Sequence, residues 1–167
     1  RQFISRWPDR VEGVEKMATL QGLRGEEKDA IDLMERFRAG HPDAVSIYSG
    51  LWRLLNRLDY QSKADEVLHQ WRERFPEDPT GMELELSQRG DDLSTDEVKS
   101  LSAGLLALRA PDTNYYSVCE TLLERKLFAE AAECYQQAGS TEYEADTEGW
   151  FRIEMQAGLL RALIGLR

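Results

Sequence analysis

Three prolines set the terms for this chain. Pro8, Pro42 and Pro76 each lie 34 residues from the next, in the stretches RWPDR, GHPDA and RFPED. A fixed period of roughly 20–50 residues marks an array of similar supersecondary units. Aligning the chain on the prolines brings further columns into register. Val14 pairs with Tyr48, Met17 with Leu51, Ala30 with Ala64, Met34 with Leu68 and Phe37 with Trp71; Phe3 joins the last column. Prolines alone could coincide, but five additional columns in the same register mark a repeat.

Within each period the apolar residues recur at three- and four-residue steps, the spacing of a helix face. Polar breaks at 22–28 (GLRGEEK) and 57–63 (RLDYQSK) divide each unit into two such stretches. The expected unit is helix, turn, helix, then a proline turn. One helical hairpin cannot bury its apolar face alone, so neighbouring hairpins stack and share a core. Proline after the second helix stops it, and the acidic residue behind it suits the next helix N-terminus.

A 34-residue helix–turn–helix with a small residue in its second helix and a closing proline resembles the tetratricopeptide (TPR) repeat. In 45–78, Tyr48, Leu51 and Leu55 stand at the first-helix sites, with Ala64, Leu68 and Pro76 at the second-helix and closing sites. Trp52 departs from the pattern, which has glycine or alanine there. In 11–44, Met17, Ala18, Ala30, Met34 and Pro42 fit, and Gln21 fits poorly. The unit 112–146 matches best through Ala131, Tyr135 and Ala138, with Tyr115, Val118, Cys119 and Leu122 in its first helix. Between them, 79–111 is degenerate: a short first helix around Met82, Leu84 and Leu86, a capping box at Ser94-x-x-Glu97, and closure at Pro111. Residues 1–10 read as the end of a preceding repeat and 147–167 as the first helix of a further one, led by Trp150. The resemblance implies an all-α, right-handed superhelical solenoid over 1–167, part of a longer protein. Phe3, Phe37 and Trp71 are expected in the core between hairpins.

The net charge of -10 is uneven. Residues 1–78 hold 13 Lys/Arg against 15 Asp/Glu, whereas 79–167 hold 8 against 16. That balance disfavours nucleic acid, whose binding relies on cations displacing counterions; it suits solubility or a cationic partner. No apolar run reaches the ~18–20 residues of a membrane span, since Arg161 interrupts the longest, AGLLRALIGL at 157–166.

Little in the chain points to catalysis. His41 sits in a turn and His69 among polar residues, neither with metal-ligand companions at a recognised spacing, so packed or solvated histidines are expected. Cys119 and Cys134 fall on apolar helical faces, where unpaired cysteine acts as a small hydrophobe; the sequence does not place them within bonding distance. The acidic run 89–97 lacks the ligand order of a calcium loop, and its Arg89-Gly90-Asp91 tripeptide fits a helix ending at Gly90. No nucleophile elbow or phosphate loop occurs, and no cofactor or enzymatic activity is expected.

In the resembled family, ligands lie along the first helices. The residues that would face such a ligand are Glu12, Glu15, Thr19, Ser49, Arg53, Asn56, Glu83, Ser87, Tyr116, Glu120 and Glu124. Arg53 and Tyr116 are the strongest individual candidates, being residue types enriched at interface hot spots. The chaperone-carboxylate clamp of some relatives needs several convergent cations, and Arg53 stands alone among the corresponding positions. The expected function is therefore a protein-binding scaffold. The sequence also resembles the periplasmic repeats of bacterial exopolysaccharide-export proteins. That likeness implies an alternative partner, a cationic polysaccharide, and tilts localisation toward the cell envelope.

Overall fold

The computed structural model describes residues 11–108, 114–139 and 150–167; Phe3, Pro8, Pro111 and the acidic run 142–148 lie outside them. The described residues form nine α-helices and no strand. They fall into two compact units, Arg1–Pro76 and Glu77–Arg167.

The first unit holds α1 (Val11–Leu23), α2 (Glu27–Gly40), α3 (Val45–Arg57) and α4 (Gln61–Arg74). The second holds α5 (Pro79–Arg89), α6 (Thr95–Leu108), α7 (Tyr115–Glu124), α8 (Phe128–Gly139) and α9 (Trp150–Gly165). The 34-residue period holds in the helix starts through α6, after which α7 and α8 begin 36 and 33 residues on from α5 and α6. First helices begin at Val11, Val45 and Pro79, and second helices at Glu27, Gln61 and Thr95. The segment that looked degenerate in sequence thus keeps its register.

In the first unit α1 packs on α2, α3 packs on α4, and α3 also meets both α1 and α2. Ala30 and Ala64 are fully covered where each second helix approaches its partner, which leaves no room for a longer side chain. Leu51, Leu55, Met34, Leu68 and Trp71 fill the interior. Each such side chain contributes about 1.5–3 kcal/mol on burial. The expectation for Trp71 holds, since it has no exposed surface. Phe37 is half-buried and stacks on His41 at 4.2 Å, and the His41 ring also contacts the Phe37 carbonyl at 3.1 Å. Tyr48 is buried edge-on to Phe75, under the guanidinium of Arg38. His69 is exposed and faces Glu73 at 3.3 Å.

The hairpin turns share one device. Gly25, Asp59 and Lys126 all take left-handed backbone, with φ of 78°, 62° and 59°. In each case the following N–H reaches back five residues: Glu26 to Gln21, Tyr60 to Leu55 and Leu127 to Leu122, all at 2.9 Å. This satisfies carbonyls that a helix end leaves unpaired. The α5–α6 turn is different. Gly90 is right-handed, and the Arg125 guanidinium donates to the carbonyls of Gly90, Asp91 and Leu93 at 2.8, 3.0 and 2.7 Å. The Arg89-Gly90-Asp91 tripeptide is accordingly a helix end with its carbonyls already engaged.

Side-chain caps open three of the second unit's helices, with Asn114 accepting from the Ser117 N–H at 3.2 Å at the start of α7. Asp78 accepts from the Gly81 N–H at 2.8 Å, with Pro79 in the first turn of α5. Ser94 and Glu97 form the expected capping box: the Ser94 N–H donates to Glu97 at 2.8 Å and the Glu97 N–H to Ser94 at 3.3 Å.

The cysteines correct the sequence reading. Cys119 of α7 and Cys134 of α8 form a disulfide, with Cα atoms 5.5 Å apart and both residues fully buried. They do occupy the apolar faces expected of them. Helix packing brings those faces together, a relation that their 15-residue separation does not reveal.

Candidate functional site

None of the eleven first-helix candidates is buried, so all retain solvent access. Each unit arranges its own members.

In the first unit α1 and α3 flank a cleft of about 410 Å³ lined by Val11, Glu12, Glu15, Ser46 and Arg53. Glu15 lies across α3 above Gly50: a Cβ added at residue 50 would come within 3.0 Å of the Glu15 side chain. Only glycine admits the carboxylate here. The Arg53 guanidinium approaches Glu15 at 3.6 Å and Ser49 at 3.4 Å. Burial holds the Glu15 carboxyl above the usual glutamate range; Arg53 opposes that shift and Glu12 adds to it. The cleft therefore combines one partly desolvated carboxylate, one exposed carboxylate and one cation. Ser49 also donates to the Ser46 carbonyl, and Asn56 donates to its own helix at Trp52. Asn56 and Thr19 do not line the cleft.

In the second unit the candidates separate. Glu83 accepts from the Asn114 backbone N–H at 3.3 Å, and burial raises its pKa. Ser87 donates to the Leu84 carbonyl. Glu124 is exposed. Glu120 is the centre of a network: the Tyr135 hydroxyl donates to it at 2.5 Å, and both terminal nitrogens of Arg161 contact its carboxylate. Burial and the neighbouring Glu120 push the Tyr135 phenol far up. Tyr116 also interacts with the Arg161 guanidinium.

Sequence reasoning missed Tyr135 and Arg161 as partners of Glu120. Tyr135 read as a core residue and Arg161 as an interruption of an apolar run. The available signal was the single arginine, Arg161, inside the apolar run 157–166. A smaller recess of about 240 Å³ lies between α6 and α8, with the Lys99–Glu130 pair at 2.5 Å on its wall and Leu106 and Leu122 among its lining.

Among the described residues no group of three or more His, Cys, Asp or Glu could hold a metal, and no helix is long and apolar enough to cross a membrane. Comparison with protein-family models, curated proteins and solved structures returns no match for the chain.

Proposed function

We propose that this chain is a non-enzymatic TPR-type scaffold that binds another protein through the exposed faces of its first helices, within a larger multi-repeat solenoid. The observation that carries this reading is the cleft between α1 and α3. Two successive first helices there place Glu12, Glu15 and Arg53 around one opening, and Gly50 admits the Glu15 side chain. Paired charges in a partly desolvated cleft suit recognition by electrostatic complementarity. A photo-crosslinking residue at Ser49, compared with one at the exposed Asp65 of α4, tests it in cells. One discrete adduct from position 49, lost on Arg53→Ala and absent from position 65, is expected. Equal labelling from both positions would refute the reading.

The disulfide supports a second reading. Such bonds persist in oxidising compartments, including the bacterial periplasm. There the acidic half of the chain would meet a cationic, partly deacetylated polysaccharide in an exopolysaccharide-export protein. Binding of a chitosan oligomer should then weaken steeply as salt rises. Neutralising Glu124 together with the acidic residues of 142–148 should weaken it further. Salt-insensitive binding, or none, would eliminate this reading.

A further inference from the structure

The disulfide and the Glu120 network are neighbours in sequence on both helices. Cys119 immediately precedes Glu120 on α7, and Cys134 immediately precedes Tyr135 on α8. The covalent bond therefore sets the axial register of the two helices at the residues next to the network. Helix α9 is seated across both: it packs on α8 and on α7. Its backbone at Gly158 lies directly on the Tyr135 ring, where an added Cβ would come within 3.0 Å of ring carbons. Its Arg161 reaches Glu120. Met155, Gly158 and Ala162 form the buried face. A seat that spans both helices, with Phe128 and Tyr135 of α8 beneath Gly165 and Gly158 and Glu120 of α7 at Arg161, keeps its shape only while those helices hold their relative position.

We propose that the Cys119–Cys134 disulfide is a redox-dependent lock on α9. With the bond made, Glu120 and Tyr135 stand in register and α9 is docked. With the bond reduced, α7 and α8 shift, the Glu120–Tyr135–Arg161 network loses its geometry, and α9 lifts, baring Met155 and Ala162. The reductant is a dithiol. Its thiolate attacks one cysteine sulfur to form a mixed disulfide, and the other cysteine leaves as a thiolate and takes up a proton. The second thiol of the reductant then displaces the first cysteine, which also leaves as a thiol, and the reductant departs as a disulfide. Two electrons and two protons pass to the protein. Both cysteines are fully buried, so the reductant gains access only during local opening, and the docked helix in turn protects the bond.

Hydrogen exchange read by mass spectrometry on the full chain tests the lock. Oxidised protein is compared with protein reduced by dithiothreitol, whose two free thiols are confirmed by mass after alkylation. Reduction should speed α9 amide exchange at least tenfold, leave α1–α4 unchanged, and affect α5 and α6 less than α9. Unchanged α9 protection in verified dithiol protein would overturn the proposal. So would a loss spread evenly over α5–α9, which would make the bond a general stabiliser. Arg161→Gln in the oxidised protein separates docking from folding. It should loosen α9 and accelerate dithiothreitol reduction of the buried bond, while α5–α7 stay protected. If α9 loosens without faster reduction, the coupling is refuted.

Discussion

The same substitution should be tolerated at one glycine and destabilising at another. Gly50 and Gly158 both lie inside helices, and at both an added Cβ would come within 3.0 Å of a neighbouring side chain. Replacing a mid-helix glycine by alanine gains roughly 0.5–1 kcal/mol from reduced backbone entropy. At Gly50 the obstacle is the end of the Glu15 side chain, which can swing into solvent. Its displacement sacrifices an ion pair with an arginine whose side chain is 59% exposed, a class of interaction worth about 0–1 kcal/mol. Gly50→Ala should therefore change the first unit's stability by only about −0.5 to +1 kcal/mol, while Glu15 leaves the cleft. At Gly158 the obstacle is the Tyr135 ring, which is 1% exposed and anchored to Glu120. Overpacking against a ring that cannot retreat costs about 1–3 kcal/mol and outweighs the propensity gain. Gly158→Ala should lower the second unit's stability by about 1–2 kcal/mol. Hydrogen exchange resolved by helix reports opening free energies for each unit separately. If Gly50→Ala destabilised the first unit by more than 1 kcal/mol, or Gly158→Ala were neutral, the packing argument would be wrong.

Three further outcomes follow from the same contacts. Replacing both cysteines by alanine should lower the second unit's stability by roughly 3 kcal/mol, the chain-entropy value for a crosslink spanning 15 residues, as urea denaturation can measure. The Glu15 carboxyl is raised above its ordinary value of 4.5, so the folded first unit binds this proton more tightly than the unfolded chain does. Its contribution to stability should fall as pH rises from 4.5 through the raised value; Glu15→Gln should flatten that slope in pH-dependent melts. Lys126 holds left-handed backbone without being glycine, so Lys126→Gly should stabilise the α7–α8 hairpin by up to about 1 kcal/mol, measured as a rise in denaturation midpoint.

What could be read directly from the residues was what depends on near neighbours in the chain. The spacing of Ala30 and Ala64, the breaks at 22–28 and 57–63, and the Ser94–Glu97 box are local patterns, and local patterns set helix starts and ends. They predicted the all-helical class and the helix register. Even so, α5–α6 looked degenerate, because its turn is stabilised by Arg125, 35 residues beyond Gly90, rather than by a left-handed residue of its own.

The site was legible only in outline. A helical wheel could say that Glu15, Arg53 and Glu120 face outward from their helices. Which of them share a cleft and which are tied to other side chains depends on helix-to-helix distance, and that depends on side-chain volume at contacts far apart in sequence. Gly50 is informative only once Glu15 is seen above it. Cys119 and Cys134 looked like two small hydrophobes until α7 and α8 placed their Cα atoms 5.5 Å apart. Arg161, an interruption in an apolar run, became the charge that pins α9 to Glu120. The 34-residue period specified where helices start and stop, because periodicity is a one-dimensional property. The covalent bond, the cleft and the Glu120 network arose from packing, because each joins groups that meet only after the helices have taken their places.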